Sequence, residues 1–191
     1  MLVQHKKILN KPIKILLATN GLILMAAAMI GPIYALFIEE IGGSLLDASY
    51  AGAAFALVAG ITVLVSGSYT DKVKHPERIV ALGSIIFGSG FFLLTFVQSI
   101  WMLLLVQGII GFGEAIYSPS YDAVYSKHLT KNEAGRQWGF WESMSYFTAV
   151  VGALLGGYIA STFGFDALFI VASLFCLASA IYVLVLPKDT L

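Results

Sequence analysis

Polar residues in this chain come in bunches, and long runs with almost no charge lie between them. The runs cover roughly residues 13–38, 48–70, 79–97, 100–123, 138–161 and 165–187. Each is near the length of about 20 apolar residues that a helix needs to cross the hydrocarbon of a bilayer. Lipid offers no partner to backbone N–H and C=O groups, so each run is expected to satisfy its own backbone as an α-helix. The pattern therefore predicts six membrane-spanning helices. Very short connections fall around Asp47, Gln98 and Phe163, and these force their neighbours to run antiparallel. Two connections are longer and charged: GSYTDKVKHPER (67–78) and the stretch near 124–137. The first run follows a basic flank, like a secretory signal. It continues to Phe37, well past the length of a signal peptide, so it reads as a retained first span, with cleavage near Ala26, Ala27 and Ala28 as the alternative.

Composition supports the same class. Of 191 residues, 59% are hydrophobic and 12% charged, against roughly 25% charged in a soluble domain. A soluble fold of this length has too little interior for so much apolar surface. A net charge of zero argues against nucleic acid. Cys176 is the one cysteine, which rules out an internal disulfide and a cysteine metal site. His5, His75 and His128 all fall in the polar segments, none beside a plausible set of metal ligands. There is no glycine-rich phosphate loop and no nucleophile–base constellation. An enzyme is not expected, nor a cofactor or metal.

The 11 basic residues settle an orientation. Lys6, Lys7, Lys11 and Lys14 precede or open the first run. Lys72, Lys74 and Arg78 lie in the second connection, Lys127, Lys131 and Arg136 in the fourth, and Lys188 in the tail. With six spans all of them fall on one side. The other side carries acids only: Glu39, Glu40, Asp47 and Asp166. By the positive-inside rule both termini are expected in the cytoplasm, with the chain multi-pass in the plasma membrane.

An internal repeat follows. Residues 19–37 lie over 106–124 without gaps: Asn20 meets Gln107, Gly21 meets Gly108, Pro32 meets Pro119 and Tyr34 meets Tyr121. A weaker echo sets Ser49–Tyr50 against Ser145–Tyr146. The two copies run in opposite directions, so the chain reads as one six-span domain, 1–191. It would hold two inverted three-helix repeats, about 13–97 and 100–187, with a cytoplasmic loop at about 124–137. Inverted repeats mark many secondary transporters. Pro32 and Pro119 are expected to kink equivalent helices.

Taken with these features, the connection at 67–78 resembles the signature loop of the major facilitator superfamily, Gly-x-x-x-Asp-(Arg/Lys)-x-Gly-(Arg/Lys)-(Arg/Lys). Gly67, Asp71 and Lys72 match. Lys74 replaces the later glycine, and His75 and Pro76 replace the paired bases, leaving Arg78 as the nearest. The resemblance covers the whole chain, as the N-terminal six-helix half of such a transporter. It implies a conformational latch in which Asp71 and Arg78 pair with Asp122 at the end of span four. VVGALLGGYIA in span five resembles the efflux branch at Gly152, Gly156 and Gly157, with Thr148 and Ala153 in place of the family's first glycine and its proline. That points towards drug efflux by antiport, although the same small residues also serve close helix packing. The arginine the family carries in span four is absent, since Leu104 stands there.

Glu114 is the sharpest candidate. It sits near the middle of the fourth run, where a carboxylate is costly unless protonated, paired or hydrated. No lysine or arginine lies at similar depth. A proton or a cationic substrate is the expected partner, and a structural interhelical hydrogen bond is the alternative. Asn20, Gln107, Tyr117 and Tyr146 are further candidates for lining a cavity. Tyr34 and Tyr121 read as interface tyrosines, and Glu142 as a structural partner of Arg136 or Lys131. The leading reading is a secondary active transporter, or half of one, moving a small solute by alternating access with protons as a candidate coupling ion. A non-transporting scaffold or a remnant of a twelve-span carrier is the alternative. Family members have about twelve spans, so a homodimer, a separately encoded second half and a truncated remnant are the three explanations for six.

Overall fold

The computed structural model describes residues 9–187 and 190–191. His5, Lys6, Lys7 and Lys188, used above, lie outside the described residues. The described residues are helical or in short connections: α1 (Lys11–Ile30), a 3-10 turn (Gly31–Ile33), α2 (Tyr34–Glu40), α3 (Leu45–Thr70), α4 (Pro76–Leu94), α5 (Ile100–Lys127) and α6 (Ala134–Val185). Among the described residues five stretches are long and apolar enough to cross a membrane, with α1 through α2 counted as one.

The helix ends follow from local chemistry. Asn10 accepts a hydrogen bond from the Ile13 N–H at 2.9 Å, and Pro12 sits in the first turn, where its missing N–H costs nothing. Ser44 and Asp47 form a capping box at the start of α3, so Asp47 lies in the first turn of that helix and not in the link. Ser99 caps α5. Pro32 lies in the 3-10 turn that separates α1 from α2, whereas Pro119 sits inside α5, which continues past it. The expected loop at about 124–137 is shorter in the structure, because α5 runs to Lys127 and α6 begins at Ala134.

α6 is 52 residues long. At 1.5 Å per residue that is about 78 Å, more than twice the hydrocarbon thickness. Its backbone breaks at Gly164, with φ 84° and ψ 172°, a region that essentially only glycine occupies. The break divides α6 into a first arm (134–163) and a second arm (165–185), one residue beyond the link expected around Phe163.

α1 packs on both arms. Gly152 faces Ala28 and Gly156 faces the Met29 backbone, which sets the first arm parallel to α1. Ser179 Oγ donates to the Thr19 carbonyl at 2.9 Å, and Phe37 packs on Phe165 and Phe169, which sets the second arm antiparallel. α5 is held in the same fashion by α3 and α4. Ser66 Oγ donates to the Ala115 carbonyl at 2.6 Å, Gly111 faces the Phe55 carbonyl, and Gly83 faces the Tyr117 backbone. Small residues at these crossings let backbones approach closely, which supplies attraction where no hydrophobic effect acts between helices. Gly157, expected to share this role, has nothing within 4 Å of where a Cβ would stand. Leu103, Leu168, Phe169, Ala172 and Cys176 are fully buried at the centre. α3 is the most open helix, with Leu57, Leu64 and Val65 all more than half exposed, an apolar face suited to lipid or further helices.

Candidate functional site

Long polar side chains bridge the first span, α1 and α2, to α5. The Tyr117 hydroxyl donates to Asn20 Oδ1 at 2.7 Å, and the Gln107 amide nitrogen donates to the Tyr34 oxygen. The two bridges are reciprocal: an amide of α1 meets a phenol of α5, and an amide of α5 meets a phenol at the far end of the first span. Asn20 and Gln107 are 3% and 8% exposed, so both amides count as buried. Asn20 Nδ2 has no partner among the described residues. A buried polar group left unmatched costs about 1–3 kcal/mol, which makes it a place to look for function or a bound molecule.

Towards the chain termini the contact continues. The Tyr121 hydroxyl donates to the Leu16 carbonyl at 3.3 Å, and Asn10 Nδ2 donates to the His128 carbonyl at 2.8 Å. Tyr117, Tyr121 and Tyr125, spaced by four, stack at centroid distances of 5.5 and 5.7 Å, and Tyr125 then meets Trp138 at 4.8 Å. Tyr34 and Tyr121, expected as interface tyrosines, both make contacts inside the bundle. Tyr121 is 2% exposed and Tyr34 is hydrogen-bonded to Gln107. Hydropathy along a run reports depth, but the side of the helix that a tyrosine occupies depends on its neighbours.

Glu114 is half-buried on α5 and makes no hydrogen bond or ion pair among the described residues. Ser118 and Asp122 follow at i+4 and i+8, so the three polar groups share one face of the helix and span about 12 Å. Tyr146 is 66% exposed on the first arm of α6, without a hydrogen bond to this group. The structure thus joins Asn20 with Tyr117 and Gln107 with Tyr34, sets Glu114 on α5 between Gln107 and Tyr117, and leaves Tyr146 apart.

The residues of the expected latch are not brought together. Asp71, Lys72, Arg78 and Asp122 are all exposed, and no ion pair joins them among the described residues. Gly67 lies in the last turn of α3, where its carbonyl accepts from the Asp71 N–H at 3.3 Å. In that connection His75 Nδ1 and Glu77 Oε1 share a hydrogen bond at 2.9 Å. Glu142 is exposed and forms no ion pair with Arg136 or Lys131 among the described residues.

Several bonds that hold this region had no clear signal in the sequence. Thr70 and Ser120 share a hydroxyl bond at 2.7 Å, and the fully buried Gln137 accepts from the Thr130 N–H at 2.8 Å. Asn10 was legible in principle, since an asparagine two residues before a proline is a helix-start signature.

The family model for the Major Facilitator Superfamily matches residues 16–190. Among curated proteins the chain is similar to Multidrug resistance protein MdtG of Dickeya zeae (strain Ech586), at 28% identity over 171 residues. It is also similar to the protein of that name from Salmonella schwarzengrund (strain CVM19633), at 29%. In both cases the match covers 87% of this chain and 42% of the relative, so the chain spans about two fifths of the length of these proteins. Among solved structures, the crystal structure of the POT family transporter PepTSo superposes with a TM-score of 0.72. That match is 14% identical and covers 93% of this chain and 39% of that one.

Proposed function

The chain belongs to the major facilitator superfamily, and from that premise we propose that it is a six-span half of a secondary active transporter in the plasma membrane. It is an integral membrane protein of a transporter family, not an enzyme. In this reading each arm of α6 crosses the bilayer once, which makes six spans and puts both termini in the cytoplasm with the basic connections. The relatives' name favours efflux of drug-like solutes.

Inverted repeats belong to the same proposal. Ala28 of α1 meets Gly152 of the first arm, and Ala115, its counterpart 87 positions on (28 + 87), meets Ser66 of α3. Each central helix is thus crossed by a later or an earlier partner at matching positions, which supports two inverted units around α1 and α5. Rocking of such units about a midplane site is the alternating-access scheme of this class.

The observation that carries the proposal is Glu114: a half-buried carboxylate in a span, with no hydrogen bond or ion pair among the described residues. Its partner in the cycle is then a proton or a cationic solute, with Asn20, Gln107 and Tyr117 beside it. Asp71, Lys72, Arg78 and Asp122 would close as a latch in another state, and a second copy or a second half would complete the cavity. The test is flux in proteoliposomes with and without a proton gradient, for the parent and Glu114→Gln. Loss of gradient-driven flux is expected in the variant. Equal flux with equal pH dependence in both proteins removes Glu114 from the mechanism.

A further inference from the structure

A cavity of about 300 Å³ lies between α1, α3, α4 and α5, in the half of the bundle away from the chain termini. That is near the lower end of the range of roughly 300–1,000 Å³ for small-molecule sites. Phe55, Phe87 and Phe91 form much of its wall, Gly52 forms an open edge, and Tyr34 and Gln107 bring the hydrogen-bonding pair. Neither Glu114 nor any other acid, lysine or arginine lines it.

The pair is only half used. Gln107 spends an amide N–H on the Tyr34 oxygen. Its carbonyl oxygen and the Tyr34 hydroxyl proton have no partner among the described residues, although Gln107 is only 8% exposed. The cavity therefore presents one unmatched acceptor and one unmatched donor, side by side, against aromatic walls. A charged guest would be desolvated there without a counter-charge, at high cost. An aromatic body gains edge and face contacts with the phenylalanines. A group with an adjacent C=O and N–H satisfies both polar atoms at once.

We infer that this cavity, whose lining does not include Glu114, is a binding site for an uncharged aromatic carboxamide or a molecule of the same donor–acceptor pattern. It holds whether or not the chain transports, because occupancy is read without flux.

The probe is biphenyl-4-carboxamide, measured by equilibrium dialysis against the full chain in nanodiscs, with empty nanodiscs subtracting partition into lipid. 4-Isopropylbiphenyl has the shape without the polar pair, and biphenyl-4-carboxylate has the charge. Saturable binding of the amide is expected, at least about tenfold tighter than either analogue. Gly52→Leu should abolish it, since a Cβ at Gly52 meets nothing within 4 Å and the side chain would fill the space. Gln107→Leu should keep apolar binding and bring amide and hydrocarbon to equal affinity. Helix content and melting of both variants are compared with the parent. If Gly52→Leu does not fold, Gly31→Leu, equally unobstructed at the same cavity, is read instead. No saturable amide binding, equal binding of the three probes, or unchanged binding in the filled variant overturns the inference.

Discussion

Gly156 and Gly157 are adjacent, identical and on one helix, yet the structure gives opposite outcomes for the same substitution. A Cβ at Gly156 would meet the Met29 carbonyl oxygen and stand 2.7 Å from both the Met29 carbonyl carbon and its Cα, where ordinary contact is 3.4–4 Å. Backbone cannot swing aside as a side-chain tip can. Gly156→Ala must therefore push the first arm of α6 off α1 by about 1 Å, at an overpacking cost of about 1–3 kcal/mol. With roughly 2–4 °C per kcal/mol for a chain of this size, the melting temperature should fall by about 2–12 °C. At Gly157 nothing stands within 4 Å of the added carbon. Alanine there also raises helix propensity by up to about 1 kcal/mol, so Gly157→Ala should melt at or slightly above the parent. The assay is thermal melting by far-ultraviolet circular dichroism of all three proteins in one detergent. A parent-like melt for Gly156→Ala, or an equal fall for both variants, would show that the α1–α6 crossing is not as close as described.

Two more variants probe the fold by other routes. Gly164→Ala adds no clash, since its surroundings are open, but it forces a side chain into φ 84°. A loss of about 1–3 kcal/mol of stability is expected from backbone strain alone, and an unchanged melt would mean that α6 is not broken there. Tyr117→Phe removes the hydroxyl that Asn20 Oδ1 accepts from, leaving both ends of that buried amide unmatched. It should cost about 1–3 kcal/mol by the same melt, whereas a cost below 0.5 kcal/mol would indicate that water already serves Asn20.

The long apolar helices were legible because the hydrocarbon sets a minimum length and tolerates few charges, so run length and charge spacing carry the information. The break near Phe163 was legible too, as a short link between two apolar runs. What the chain's pattern could not show is azimuth. Tyr121 and Tyr146 are both tyrosines in apolar runs, yet one is 2% and the other 66% exposed. The difference lies in which helices pack beside α5 and α6, and that depends on contacts more than 100 residues apart. The bond from Tyr121 to Leu16 joins residues 105 apart. Gln137 is a similar case. A glutamine in a polar connection reads as solvated, but the structure buries it completely against Thr130. Asp71 and Asp122, which the loop pattern suggested as members of a latch, both stand exposed in this state of the protein.

The packing of α1 on α5 and α6 sets an order of events during synthesis. Asn20 finds its phenol 97 residues later in the chain, and Thr19 receives the Ser179 hydroxyl 160 residues later. At roughly 5–20 residues per second, α1 stands without these partners for about 5–30 s after it leaves the ribosome. Its polar groups must meanwhile be satisfied by lipid headgroups, water or an assembly factor. The first helix made is therefore among the last to be locked, and destabilising its inner face should reduce the yield of inserted protein more than the lifetime of protein that has already folded.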